Sequence, residues 1–141
     1  MKLPSEETLW KTASIGLGLI IGVAIISIMY QVNFLFYPVE DISDGANTDL
    51  KAYFSNPALI LGKFIAISTG TFFAAAIAKL VKPDLTYWSA IITGSVLMIL
   101  GLFDIFASSY PVYYNIIAPL LYLPAALFGY MFINNHQQKR I

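Results

Sequence analysis

Two charged side chains of opposite sign interrupt long apolar stretches of the sequence. Lys63 lies in GKFIAISTGTFFAAAIAK, residues 62–79, and Asp104 lies in LGLFDIFA, residues 100–107. An ionised group inside hydrocarbon costs roughly 2.5 to 3.5 kcal/mol, so it usually faces the protein interior and finds a partner. The residue types therefore predict an intramembrane ion pair between Lys63 and Asp104.

Two other interpretations of these charges stay open. Each side chain can instead reach interfacial water by itself, since long charged side chains extend toward the headgroups. The pair could also belong to a proton or ion path. No further acid, histidine or lysine continues a relay across the membrane, which weakens the ion-path hypothesis.

The other residue types give little support for catalysis, metal binding or redox chemistry. The chain has no cysteine, which excludes disulfides, thiolate metal sites and iron–sulfur clusters. Its only histidine, His136, lies near the C-terminus, so haem ligation by paired histidines cannot come from this chain alone. No serine has a plausible activating base. We expect a non-enzymatic protein with no catalytic residue, no metal and no cofactor.

Acidic residues cluster in one polar stretch, YPVEDISDGANTDLKAYFSNP, residues 37–57. They are Glu40, Asp41, Asp44 and Asp49. Their spacing does not match a regular calcium-binding loop, so a solvated acidic loop, or one that docks on a basic partner, is the preferred interpretation.

The elements that must position Lys63 and Asp104 are long apolar blocks. Of the 141 residues, 58% are hydrophobic and 11% are charged, with a mean hydropathy of +0.72. The apolar residues form blocks at about 12–36, 57–81, 86–107 and 112–133, each close to the ~20 residues that cross a bilayer as a helix. We predict one all-α membrane domain, residues 1–141, with four transmembrane helices in an antiparallel bundle. Both charges would then lie ~6 to 8 Å below its outer surface.

The basic residues predict the orientation of this bundle. Six of the eight lie at the N-terminus, between helices two and three, and at the C-terminus: Lys2, Lys11, Lys79, Lys82, Lys139 and Arg140. The positive-inside rule places these regions in the cytoplasm, so both termini should be inside a bacterial cytoplasmic (inner) membrane. Interfacial aromatic residues agree, with Trp10 and Tyr130 at the inner side and Tyr30 and Tyr110 at the outer side. A net charge of zero gives no indication of nucleic-acid binding.

Small residues recur at the four-residue spacing that lets membrane helices approach closely. Helix two has an unbroken series, and the first and third helices contribute further glycines: Gly62, Ala66, Gly70, Ala74 and Ala78, with Gly18, Gly22, Gly94 and Gly101. The simplest interpretation is packing inside the bundle. An alternative assigns one stripe, such as Gly18 with Gly22, to a partner subunit or a second copy. In helix four, Pro119 and Pro124 each remove a backbone hydrogen bond and predict a kink or local unwinding.

Residues 50 to 130 contain GTFFAAAIA in helix two, a glycine-bearing third helix, a short proline–aromatic link and YLPAALFG in helix four. In this pattern the chain resembles a family of small uncharacterised four-helix bacterial membrane proteins. The resemblance implies no established activity. In that family helices two and four often carry a polar or ionisable residue where this chain has Ile67 and Ala118.

Three functions are compatible with these features. An accessory or scaffolding subunit of a larger membrane complex would contact lipid and other membrane subunits or a second copy. A small oligomeric transporter or channel would use Lys63 and Asp104, and predicts a water-filled cavity between helices two and three. A lipid- or quinone-binding protein predicts an apolar groove beside Pro119 and Pro124.

Overall fold

Four long helices account for most of the described chain. The computed structural model describes residues 5–37, 54–108 and 110–139. Its long helices are α1 (Glu6–Phe36), α2 (Pro57–Val81), α3 (Tyr87–Ala107) and α4 (Val112–Gln138). Each is long and apolar enough to cross a membrane. The all-α four-helix membrane fold is therefore confirmed, and the chain is a multi-pass membrane protein. The acidic residues Glu40, Asp41, Asp44 and Asp49 lie outside the described residues.

The helix ends follow from local capping chemistry. α1 begins before the apolar block because Ser5 Oγ accepts a hydrogen bond from the Thr8 N–H at 3.3 Å, which satisfies a free donor of the first turn. α2 begins at Pro57, with Asn56 Oδ1 accepting from the Ala58 N–H at 3.0 Å. With 31 residues, α1 is about 46 Å long and exceeds the ~30 Å of hydrocarbon.

α4 runs through both of its prolines. Pro119 and Pro124 lie inside one continuous 27-residue helix. Local unwinding, one of the two expectations for these prolines, is thus not what the structure has, since the remaining backbone bonds keep the helix intact. A bend at these positions stays a prediction.

α2 is the central helix of the bundle. Half of its most apolar 18-residue stretch is buried, compared with 17% to 28% for the other three helices. α1 and α4 pack against α2, whereas α3 packs chiefly against α4 and touches α2 over a small area. α2 and α3 are consecutive in the chain, but they contact each other over a much smaller area than either shares with α4, which packs against both.

Glycines explain why α4 takes this position. Gly129 of α4 lies directly against the Phe72 carbonyl of α2, where a Cβ atom would collide with the backbone. One turn earlier in α4, the Ala126 Cβ would lie 3.1 Å from a Cβ added at Gly94 of α3. These close approaches bring α4 against both helices.

The small residues of α1 face α2. A Cβ added at Gly22 would lie 2.6 Å from the Ala74 Cβ, and one at Gly18 would collide with the Ala74 carbonyl. Gly18 and Gly22 therefore pack inside the bundle, rather than against a partner as the alternative interpretation proposed. The neighbouring Gly16 is open, since a Cβ added there would meet no atom within 4 Å.

The remaining small residues also meet other parts of the bundle. In α2, Ala66, Gly70, Ala74 and Ala78 are buried. Gly62 lies against the Asn33 side chain of α1, and Gly101 of α3 lies against the Tyr122 side chain of α4. Every small residue singled out in the sequence thus lies in or beside a helix contact.

Candidate functional site

The predicted partners Lys63 and Asp104 lie together near one end of the bundle. Lys63, in the second turn of α2, is 2% exposed, and its Nζ lies 3.5 Å from Asp104 Oδ2 on α3. The Asp104 side chain is 38% exposed, so the acid is far more accessible than the base. The alternative in which each charge reaches interfacial water by itself required Lys63 to extend toward the headgroups. In the structure Lys63 points into the bundle instead.

Tyr110 joins the two charged groups. It lies between α3 and α4, and its hydroxyl accepts a hydrogen bond from Lys63 Nζ and donates one to Asp104 Oδ2 at 3.3 Å. Burial, and then the nearby Asp104 carboxylate, raise the pKa of the Tyr110 hydroxyl, so it keeps the proton that it donates. The three side chains form one network that connects α2, α3 and the link to α4.

Aromatic rings surround the Lys63 ammonium. Nζ lies 4.3 Å from the centre of the Tyr30 ring on α1 and 4.5 Å from that of Tyr110. The Tyr110 ring packs against Tyr114 at 4.4 Å, and Tyr114 stacks on Phe64 of α2 at 5.3 Å. Ring faces attract cations, so this cage replaces part of the hydration that Lys63 loses on burial. All four helices thus contribute to the surroundings of one lysine.

Asn33 provides a second polar contact at the same end. Its Nδ2 donates to the Leu59 carbonyl of α2 at 2.8 Å, and the residue is buried. The side chain fits because Gly62 has no Cβ. This bond fixes the end of α1 on α2 beside the Lys63 cluster.

A second lysine of α2, Lys79, is buried near the opposite end of the helix. Its Nζ donates to the carbonyls of Pro83 at 2.5 Å and Leu85 at 2.8 Å. Tyr130 of α4 donates to the same Leu85 carbonyl at 3.2 Å, and its ring centre lies 4.9 Å from Lys79 Nζ. In the sequence, Lys79 served only to predict the orientation of the bundle, whereas in the structure its ammonium closes the turn between α2 and α3.

A cavity of about 230 Å³ lies between α1, α3 and α4. Apolar side chains dominate its wall, and Tyr30, Asp104 and Tyr122 also line it. It reaches Asp104, but among the residues that the structure describes Lys63 is not part of its lining. The transporter hypothesis expected a cavity between α2 and α3 that reaches both charges, and the lipid-binding hypothesis expected a groove beside Pro119 and Pro124. This cavity does not match the first position; on α4 its described lining is Tyr122, which lies between Pro119 and Pro124 in the chain.

The described ranges contain no group of three or more histidine, cysteine, aspartate or glutamate residues placed to hold a metal ion. The polar chemistry in these ranges is that of hydrogen bonding and ion pairing, centred on Lys63 and Lys79.

Sequence reasoning missed several residues of these sites, although some signals were present. Tyr110 was interpreted as an interfacial aromatic residue, and Tyr110 lies only six residues after Asp104. Asn33 is an amide inside an otherwise apolar block, which is itself a sign of an interhelical bond. Nothing in the local sequence distinguishes Lys79 from an exposed lysine at a helix end.

Comparison of the chain with protein-family models, with curated proteins and with solved structures gave no match. The resemblance to small four-helix bacterial membrane proteins therefore stays a prediction from the sequence.

Proposed function

We propose that this membrane protein is a non-enzymatic accessory or scaffolding subunit of a larger assembly in a bacterial cytoplasmic membrane, with both termini in the cytoplasm. The observation that carries the proposal is that the buried charged groups form hydrogen bonds and ion pairs within the bundle itself. Lys63 is bonded to Tyr110 and Asp104, and Lys79 is bonded to the turn that follows its own helix. These groups hold the bundle together, as expected of a protein whose role is to keep a fixed shape.

The same geometry gives less support to a transporter or channel. Lys63 and Lys79 are sixteen residues apart on α2, or about 24 Å along the helix. Between those two depths, the four described helices contain no acidic, basic or imidazole side chain. A proton or ion that left the Lys63 network would find no charged group to continue its path.

α1 has the least buried apolar stretch of the four helices and offers a surface for a partner subunit. It packs mainly against α2, and only 17% of its most apolar stretch is buried. Ile20 and Ile28 are 68% and 60% exposed, and Gly16 has open space beside it. A small residue beside large apolar ones suits close contact with another membrane helix.

Purification at native expression level tests the proposal. The full chain, tagged at its C-terminus, would carry a photo-crosslinking amino acid at Ile20 of α1 or, as a matched control, at Leu120 of α4, which is 67% exposed. We expect other membrane subunits to copurify in mild detergent and to crosslink more strongly from position 20 than from position 120. Recovery of a lone monomer that crosslinks only to lipid would contradict the proposal.

A further inference from the structure

The cavity between α1 and α3 has the features of a ligand site. Its volume is about 230 Å³, and it lies where α1 and α3 contact each other over only a small area. An apolar cavity of roughly 150 Å³ accommodates a benzene ring, so this one has room for a substituted single ring or a short chain. Its wall is mainly apolar, including Ile26 of α1 with Leu97 and Leu100 of α3.

One tyrosine hydroxyl that lines this cavity has no hydrogen-bond partner among the described residues. Tyr122 of α4 is 3% exposed and lines the cavity, with its Oη held against Gly101 of α3. Within the part of the chain that the structure describes, this Oη forms no hydrogen bond. Because this Oη is not among the fully enclosed unpaired polar atoms of the described residues, it is accessible from the cavity and can donate a hydrogen bond to a group bound there.

Asp104 presents an acceptor to the same space. Its described contacts, to Lys63 and Tyr110, are both made by Oδ2, and the side chain lines the cavity. Gly101 and Asp104 are three residues apart on α3 and hence lie on one face, roughly 5 to 6 Å from each other. A single hydroxyl group placed between them can accept from Tyr122 and donate to Asp104.

We propose that this cavity binds a neutral lipophilic compound through one hydroxyl group, which bridges Tyr122 and Asp104 while its apolar body fills the space between α1 and α3. Neutrality follows from the charges already present, because Lys63 and Asp104 form a pair with no net charge. A cationic head would add an uncompensated charge at membrane depth, which is unfavourable. The inference is independent of the scaffolding function.

Competition against a photoreactive alkylphenol tests the proposal on the full-length protein in phosphatidylcholine nanodiscs. The competitors are 4-pentylphenol, its methyl ether 4-pentylanisole, and the cationic 4-pentylbenzylamine. We expect saturable labelling of α1 and α3 peptides that line the cavity. 4-Pentylphenol should compete about tenfold better than the ether, which cannot donate to Asp104. 1-Nonanol distinguishes the source of the hydroxyl: equal competition indicates a lipid alcohol, and weaker competition indicates a phenolic or quinol-type ring.

A pair of hydroxyl deletions locates the bond. Tyr122→Phe should weaken competition by 4-pentylphenol about three- to tenfold, whereas Tyr130→Phe, which removes a hydroxyl at the other end of the bundle, should leave it unchanged. Equal effects of the two variants, equal competition by phenol and ether, or stronger competition by the amine would overturn the proposal. So would labelling that 4-pentylphenol does not reduce, which would mean that the cavity holds only water or bulk lipid. The phenol–ether comparison uses the wild-type chain and does not depend on the folding of any variant.

Discussion

The two buried lysines of α2 form hydrogen bonds with different kinds of partner. Lys63 is bonded to side chains that come from distant parts of the chain, and its partner Tyr110 is 47 residues away. Lys79 is bonded to backbone carbonyls only four and six residues further along. The first lysine therefore ties helices to each other, while the second closes a turn.

The contacts between α1 and α2 also differ near the two lysines, because side-chain atoms meet at one end and backbone atoms at the other. Near Lys63, α1 meets α2 through the Asn33 side chain, which lies where a Cβ at Gly62 would be. Toward Lys79, α1 meets α2 through backbone, with Gly18 against the Ala74 carbonyl. Side chains can move to accommodate a substitution, but backbone atoms of a packed helix cannot. We therefore expect the Lys63 end to be sensitive to loss of polar groups and the Lys79 end to be sensitive to added volume.

Removal of the acid at the Lys63 end should have the largest effect. Asp104→Asn leaves the Lys63 ammonium buried without a counter-charge, and we expect a loss of about 3 kcal/mol in the free energy of unfolding, measured by steric trapping in bicelles. The corresponding change at the other end, Asp84→Asn, breaks an exposed pair with Lys82 and should change stability little.

A double variant sharpens this prediction. Lys63→Met combined with Asp104→Asn removes both charges, so the double variant should be more stable than Asp104→Asn alone. Additive losses from the two substitutions would show that the charges do not interact.

Added volume at the α1–α2 contact should be the next largest effect. Gly18→Ala forces a Cβ against the Ala74 carbonyl and should cost about 2 kcal/mol in the same assay. Gly16→Ala, two residues away and open, is the matched control and should be neutral or slightly stabilising. If the two alanine variants were equally stable, α1 would not pack on α2 through Gly18.

Loss of the buried base near the α2–α3 turn should have a smaller and more local effect. Lys79→Met leaves the Pro83 and Leu85 carbonyls without their donor and should cost about 1 to 2 kcal/mol. Hydrogen exchange should accelerate in residues 82–86 and stay unchanged around Asn33 and Tyr110. Faster exchange across all four helices would contradict the local role of Lys79.

The smallest effect should come from a single hydroxyl at the Lys79 end. Tyr130→Phe removes one bond to the Leu85 carbonyl and should cost about 0.5 to 1 kcal/mol, observed as a small shift in thermal unfolding. Tyr110→Phe removes two bonds from the Lys63 network and should cost about twice as much. A larger loss from Tyr130→Phe would reverse the proposed difference between the two ends.

The sequence by itself determined the helices and the residue types at the first site. Apolar runs of about 20 residues leave helices as the way to satisfy the backbone in a bilayer, so the four spans could be predicted, and α2 occupies residues 57–81 as expected. The opposite signs and similar depths of Lys63 and Asp104 were also visible, because depth along a helix depends only on residue count.

Only the tertiary structure decided which faces meet. The packing of α4 against both α2 and α3 depends on Gly94 and Gly129 finding close partners on different helices, and no local pattern distinguishes that arrangement from others. The insertion of Tyr110 between Lys63 and Asp104, and the burial of Lys79 in the next turn, depend on how loops fold back over helix ends. Hydropathy is a property of one segment, whereas close packing and buried hydrogen bonds are properties of pairs of segments.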